Sequence, residues 1–252
     1  MEIIGIVNQK GGVGKSTTAI NLSSCLAQLG KKVLLIDIDP QANTTRGIGF
    51  NQKVDTTIYE VLVEELPLSN AIYNTNIKNI DIVPSNIKLA NAELELSSVF
   101  GRETILETAF QKSDSLDYDY VIIDCNPSLG LLTVNAMVAC SDLIIPMEPA
   151  IFSLDGIEQL VNVINLIKRK INEELSIKGV LLTRVDARTN IAKEFEDELR
   201  EIFGDKIFNT IIHQNVKIVE SQAEQLPINI YDDKARGAKE YMKLAKELIE
   251  SE

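Results

Sequence analysis

Asn8-Gln9-Lys10-Gly11-Gly12-Val13-Gly14-Lys15-Ser16-Thr17-Thr18 brings together the groups needed to hold a phosphate chain. Glycines let backbone N–H groups close around phosphate oxygens without Cβ clashes, and a following helix adds its partial positive charge at the same point. Lys15 is long enough to reach β- and γ-phosphates, and the Ser16 hydroxyl is a ligand for Mg²⁺. The flanks supply the required setting. Ile3, Ile4, Ile6 and Val7 read as a buried strand, and Ala19 to Leu29 has helical spacing until Gly30. Glycine loops also make plain turns, but Gly-Lys-Ser at a strand-to-helix junction points to phosphate. Five residues before Gly14, where such loops usually carry glycine, stands Gln9. A second lysine, Lys10, follows it, and from there a side chain can point out of its own site towards a neighbouring subunit.

Three acids sit at strand ends, where parallel sheets present their ligand crevice. Lys32 to Asp39 is too apolar for an exposed strand, and alternation puts Asp37 and Asp39 on one side of it. Tyr120 to Cys125 is another apolar strand. Its Asp124 has the position of the acid that holds Mg²⁺, directly or through water, in phosphate-loop enzymes. Asp39 is the better candidate for orienting an attacking water. Asp37 either joins the site or caps a helix. Asn126-Pro127-Ser128-Leu129-Gly130 either senses a γ-phosphate or is a plain turn. His213, the only histidine, reads as a loop or pocket-wall residue.

The elements that must position these groups alternate along the chain. Helices are expected over Asp55–Glu65, Leu89–Lys112 with a break near Gly101, Leu131–Ala139, Asp155–Asn172, Asn190–Phe203 and Lys234–Glu250. Further strands are expected over Ile80–Val83, Asp142–Met147, Ile177–Val185 and Lys206–Ile212. This predicts one α/β domain spanning 1–252, a doubly wound, mostly parallel sheet flanked by helices on both faces. The net charge of −12 argues against a wholesale basic coat, so nucleic-acid contact must come from a local patch. Lys168-Arg169-Lys170 reads as a cationic helix end facing water. No apolar run approaches membrane-spanning length, and Met1-Glu2-Ile3-Ile4 lacks the basic start of a signal peptide. Cys25, Cys125 and Cys140 lack C-x-x-C spacing, so neither a disulfide framework nor a zinc site is expected, and the compartment is read as reducing cytoplasm.

KGGVGKSTTAINL, VLLIDIDPQAN, YVIIDCNPSLGLLTVNA, GVLLTRVDARTN and PINIYD…RGAKEYMKLAKEL occur in that order over essentially the whole chain. Together they resemble the ParA/Soj branch of the ParA/MinD family, the deviant Walker A ATPases that partition chromosomes and plasmids. The resemblance implies a phosphate-loop NTPase with weak intrinsic ATP hydrolysis, ATP and Mg²⁺ as cofactors, and an ATP-dependent sandwich homodimer. It implies nucleotide contacts from Lys10, Gly11, Gly12, Val13, Gly14, Lys15, Ser16, Thr17 and Asn215, with Mg²⁺ held by Ser16 and Asp124. Lys10, reaching the partner's nucleotide, Lys15 and Asp39 would carry catalysis. Arg188 and Lys217 would bind double-stranded DNA without sequence preference, and a ParB-like centromere-binding protein would stimulate hydrolysis. A cytoplasmic, nucleoid-associated location follows from the same likeness.

Departures fall in three places. Asn126 replaces the first proline of the family's DCPPS. The family's IPRN, which frames the adenine, reads Ile212-His213-Gln214-Asn215, and its SEAPSxGxPI loop becomes Glu220 to Ile228. The alternative within the same family is a MinD-like membrane-associated positioning ATPase, which needs a C-terminal helix with an apolar face and a basic face. Ala235, Ala238, Tyr241, Met242, Ala245, Leu248 and Ile249 make an apolar stripe, but the chain closes on Ile249-Glu250-Ser251-Glu252, which anionic lipid repels. A helix docked on the core is expected, without membrane binding. An iron–sulfur ATPase is the other rival; Cys125 beside Asp124 occupies an ordinary cysteine position of the ParA pattern, and a bridging cluster needs more.

Overall fold

Strand alternation sorts the core into two layers, one on each face of a single sheet. The computed structural model describes residues 1–149, 156–186 and 191–251, with the backbone alone at 191–194 and 196. Its elements are β1 (Glu2–Ile6), α1 (Lys15–Gln28), β2 (Val33–Ile38), α2 (Asn43–Gly47), α3 (Ile58–Val63), β3 (Tyr73–Asn74) and β4 (Ile80–Val83). Then follow α4 (Ala92–Glu95), α5 (Ile105–Gln111), β5 (Tyr120–Cys125), α6 (Leu131–Ala139), β6 (Asp142–Met147), α7 (Ile157–Lys170) and β7 (Ser176–Leu182). The chain closes with α8 (Ile191–Phe203), α9 (Val216–Ala223), α10 (Ile228–Tyr231) and α11 (Arg236–Glu250). Among the described residues the strands form one seven-stranded sheet in the order β3-β4-β2-β5-β1-β6-β7. All neighbours run parallel except the short β3, which lies antiparallel to β4. This is the mostly parallel, helix-covered sheet expected from the sequence.

On one face Leu34, Ile36, Ile38, Val121 and Ile123 pack with the apolar residues of α3, α5, α6 and α7. On the other, Ile4, Ile6, Val33, Leu35 and Ile122 pack with α1 and α11. Asp37, Asp39 and Asp124 share the parity of this second set, so all three are delivered to the α1 side. α11 meets α1 through Ala238, Tyr241, Leu244, Ala245 and Leu248, all buried. The apolar stripe of the last helix is therefore used inside the protein, and among the described residues no helix is long and apolar enough to cross a membrane.

Three expectations need correction. α1 begins at Lys15, a full turn before the apolar spacing starts, because Lys15 to Thr18 form the helix's first turn themselves. The stretch 89–112 is not one helix. A short 3₁₀ turn at Ile87–Asn91 leads into α4, and two more at Leu96–Ser98 and Arg102–Thr104 separate α4 from α5, with the expected break at Gly101, whose φ is 71°. The segment 206–212 forms no continuous ladder with β7: Phe208 N–H donates to Val180 C=O at 3.0 Å and Ile212 N–H to Leu182 C=O at 2.9 Å, with isolated bridges at Val180–Ile207 and, just past both segments, Val185–His213. Between them the N–H groups of Asn209 and Thr210 turn away from β7 and donate to Glu247 of α11, at 2.5 and 2.9 Å. The Thr210 hydroxyl donates to the same carboxylate at 2.6 Å.

Glu247 thus holds a would-be strand against α11, with Thr210 only 1% exposed. Glu247→Ala strands the buried Thr210 donors. A loss of roughly 1–3 kcal/mol in unfolding free energy is expected, read by urea denaturation; an unchanged midpoint would show that the carboxylate does not support this segment.

Candidate nucleotide site

The β1–α1 loop ends in Gly14, whose φ of 90° lies in the left-handed region that side chains avoid. Gly14 is the N-cap of α1, so no side chain caps the helix, and its first turn contains no acid. The first backbone N–H groups of a helix have no partner within the helix, and here only Thr18 N–H is satisfied early, by Gly14 C=O at 2.8 Å. At Gly11 and Gly12 an added Cβ would meet nothing within 4 Å, so the loop opens onto free space. Such a helix end is a ready anion site.

The loop is fixed from behind. Asn8 Nδ2 donates to Pro146 C=O at 2.8 Å, and the Thr183 hydroxyl donates to Val13 C=O at 2.7 Å. Lys15 Nζ donates to Lys10 C=O at 3.2 Å, folding back across the loop. Burial draws the Lys15 ammonium below its ordinary range, opposed first by the charge of Asp124. Lys10 itself is exposed, and its N–H donates to Asn8 Oδ1.

Asp37 and Asp124 are register partners on β2 and β5, and both are fully buried. Burial raises both carboxyls above the usual range, with Asp124 next among the causes for Asp37. Their hydrogen bonding differs. Asp37 accepts from Thr45 N–H at 2.8 Å, the Thr45 hydroxyl at 2.7 Å and Asp39 N–H at 3.1 Å. Of the two readings the sequence allowed, Asp37 takes the structural one and caps α2. Asp124 accepts from the Thr44 hydroxyl at 2.7 Å through Oδ2, while its Oδ1 is buried with no partner. The Ser16 hydroxyl, the Thr44 hydroxyl and the Lys15 ammonium all stabilise the Asp124 anion. An unpartnered buried carboxylate oxygen near the Ser16 hydroxyl fits Mg²⁺, which takes one or two carboxylates and completes its shell with water and phosphate. Asp39, 7% exposed, accepts Gln41 N–H on Oδ1 at 2.8 Å.

The glycine loop, Lys15, Ser16 and Asp39 line one cavity of about 940 Å³, while Asp37 and Asp124 are buried outside its lining. Gly11, Lys15, Ser16 and Asp39 occupy one part of its lining; Ile212, Val216, Val219 and Ala223 add an apolar wall. Asn215 also lines it, but its side-chain oxygen caps α9 by accepting Lys217 N–H at 2.9 Å. α9 was not foreseen; Asn215 as its cap, with Val216 next to it, is a signal the sequence did carry. Other lining residues escaped the sequence reading, notably Arg46, Arg184 and Gln222, whose Nε2 donates to the Thr17 hydroxyl at 2.7 Å. Nothing in their local sequence marks them, since the fold brings them in from α2, β7's end and α9. Lys217 sits in the first turn of α9, where Nζ pairs with Glu220 at 2.8 Å and lies over the Tyr231 ring. Arg188 lies outside the described residues. Cys25, Cys125 and Cys140 are buried free thiols, and burial pushes Cys25 up to about 12, away from the thiolate that metal ligation requires.

Residues 1–177 match the family described as an AAA domain. Sporulation initiation inhibitor protein Soj of Bacillus subtilis is 45% identical over 98% of both chains. The chromosome partitioning protein ParA of Myxococcus xanthus is 41% identical over 98% of this chain and 87% of its own. The chain belongs to the ParA/Soj family of partitioning ATPases. Among solved structures, cobyrinic acid a,c-diamide synthase of Mycobacterium smegmatis, with a bound ATP analogue and magnesium, matches at a TM-score of 0.86. It shares 31% identity over 99% of this chain and 94% of that one. The likeness therefore spans two chemistries, and the ParA/Soj relatives decide which branch this chain joins.

The Asp37–Asp124 pair gives the ParA/Soj site a measurable cost. A carboxyl raised on folding contributes stability below its unfolded pKa and loses it as pH rises through the folded value. Asp124→Asn is therefore expected to stabilise nucleotide-free protein by about 1–3 kcal/mol near pH 8, with a smaller gain near pH 5. The same variant should lose the Mg²⁺-dependent stabilisation brought by ATP. Thermal melts at the two pH values check both; a variant melting below wild type near pH 8 would show that Asp124 is not strained by its neighbour.

Proposed function

We propose that the chain is an ATP-driven DNA-partitioning protein whose ATP-bound form is a sandwich homodimer. The observation that carries this reading is the uncapped α1 N-terminus sharing one cavity with Lys15, Ser16 and Asp39, in a chain whose relatives are ParA and Soj. Phosphate oxygens take the free N–H groups of the first turn, and Lys15 exchanges the Lys10 carbonyl for the phosphate tail. Mg²⁺, when bound at Ser16 and Asp124 Oδ1, neutralises charge on the terminal phosphates. Asp39 Oδ1 is engaged by Gln41, so Oδ2 is the atom that orients the attacking water. Hydrolysis is slow until a ParB-like partner engages, and it ends the dimer.

Lys10 stands outside the cradle that Lys15 closes, which suits a lysine that reaches the partner's nucleotide. Non-specific duplex DNA is held by Arg188 and Lys217 in the doubled surface of the dimer, in the cytoplasm on the nucleoid. The Lys217–Glu220 pair makes Lys217 a weaker phosphate contact than an unpaired lysine, because the Glu220 carboxylate competes.

Lys10→Ala is expected to bind ATP and fail to dimerise, whereas Lys15→Ala loses ATP binding itself; light scattering and nucleotide titration separate the two. An undiminished ATP-dependent dimer in Lys10→Ala removes its role across the interface. In an Asp39→Ala background, expected to turn over about a hundredfold more slowly, Arg188→Glu with Lys217→Glu should still dimerise but lose duplex binding. Anisotropy across a salt series measures this, with each lost cation lowering the log–log salt slope by about one unit. Wild-type affinity and slope in the double variant would place the DNA face elsewhere.

A further inference from the structure

Thr44 buries its hydroxyl completely, and among the described residues that hydroxyl has one hydrogen-bond partner, Asp124 Oδ2 at 2.7 Å. The turn that carries it is fixed on either side. Thr45, its neighbour on α2, is bound to Asp37 through both its N–H and its hydroxyl, at 2.8 and 2.7 Å. Ser85, just past β4, donates its N–H to the Thr45 hydroxyl at 3.0 Å and its own hydroxyl to Asp39 C=O at 2.8 Å. The α2 turn is thereby tied to the ends of β2 and β4, and Thr44 is held against the end of β5.

The carboxylate that Thr44 meets has two oxygens in different surroundings. Oδ2 accepts the Thr44 proton, and Oδ1 is buried with no hydrogen-bond partner. Rotation of an aspartate about χ2 is broad and roughly two-fold, so packing alone leaves its two oxygens free to exchange places. A donor on one side removes that freedom. With Oδ2 engaged from α2, Oδ1 is the oxygen left for a cation beside the Ser16 hydroxyl of α1.

We propose that Thr44 is a positioning residue for the metal: its hydroxyl locks Asp124 so that Oδ1, not Oδ2, is offered to Mg²⁺ or to a water of its shell. This rests on the nucleotide and Mg²⁺ reading above. Groups that orient a metal ligand are worth about ten- to a hundredfold in metal affinity. A threonine that only filled space at this point would need its methyl group and not its hydroxyl, and that difference can be measured.

Calorimetric titration of ATP at a series of Mg²⁺ concentrations tests it, with ATP affinity in EDTA as the reference. Thr44→Val keeps the shape and removes the donor; its apparent Mg²⁺ affinity should fall about tenfold or more, with ATP affinity in EDTA unchanged. Thr44→Ser keeps the hydroxyl, loses the methyl, and should restore most of the Mg²⁺ affinity. If the valine variant does not fold, Thr44→Cys, of similar size and with a weak donor, takes its place and should bind Mg²⁺ more weakly than Thr44→Ser. In an Asp124→Asn background, Thr44→Val should change the Mg²⁺ dependence no further, because the oxygen it orients is already lost. Wild-type Mg²⁺ affinity in Thr44→Val overturns the proposal, as does a loss in Thr44→Ser as large as in Thr44→Val. Equal weakening of ATP with Mg²⁺ and in EDTA marks Thr44 as structural and overturns it too. A wild type that binds ATP equally with and without Mg²⁺ overturns the metal assignment along with the proposal, whereas one that binds no ATP in either condition overturns the nucleotide reading itself.

Discussion

The first turn of α1 carries backbone N–H groups that no side chain caps among the described residues, and much of the surrounding structure holds that turn in place. A helix start without a cap is ordinarily a loss of about 1 kcal/mol. Here Gly14 at φ 90° excludes the side chain that would supply a cap. The loop is then tied to two neighbouring strands, through Asn8 to Pro146 and Thr183 to Val13 and Met147. The helix behind it is tied to the C-terminal region, through Asn21 to Ile228 N–H at 2.7 Å and the apolar seam with α11. These restraints fix an anion site before any anion arrives, so little reorganisation is needed on binding.

The same sheet edge concentrates carboxylates, and the way each is satisfied assigns its work. Asp37 and Asp124 face each other across β2 and β5 in a layer that water does not reach. Asp37 receives three donors, two from Thr45, and becomes part of the frame that positions α2. Asp124 receives the Thr44 hydroxyl on one oxygen and leaves the other bare. A bare buried carboxylate oxygen is costly unless a cation completes it. The second threonine of the α2 turn locks Asp37 into the frame, while the first holds one oxygen of Asp124.

The loop, the strand-end acids and the sheet were legible because each is a local pattern. Apolar runs ending in Asp specify a parallel strand whose end faces the crevice, whatever the rest of the chain does. What sequence could not supply came from contacts distant in the chain. The 206–212 segment has the composition of a strand, yet Glu247, 37 residues beyond Thr210, takes the N–H groups that a ladder would use. The 89–112 stretch has helical composition, but Glu93 Oε1 lies 3.3 Å from Leu132 N–H, so tertiary contacts favour short turns over one rod. Asp37 was left between two roles for a similar reason: its choice depends on where Thr45 folds, and nothing in DIDPQ states that.

A net charge of −12 looks at odds with an anion-binding cavity until distance is considered. Exposed acids separated from a site by more than the Debye length, about 8 Å at physiological salt, are largely screened. The N–H groups of the α1 turn and the buried Lys15 act at contact, within a cavity also lined by Arg46 and Arg184. Both arginines have other obligations, Arg46 to Gln41 C=O at 2.7 Å and Arg184 to Glu148 at 3.2 Å. They are therefore held at the rim by the protein itself, as Lys217 is held by Glu220. Cations already held by a neighbouring carbonyl or acid have little mobility left to surrender when an anion binds. An acidic surface then lowers the attraction for anions elsewhere on the chain, and the sites that remain attractive are those where the fold, rather than net charge, assembles the donors.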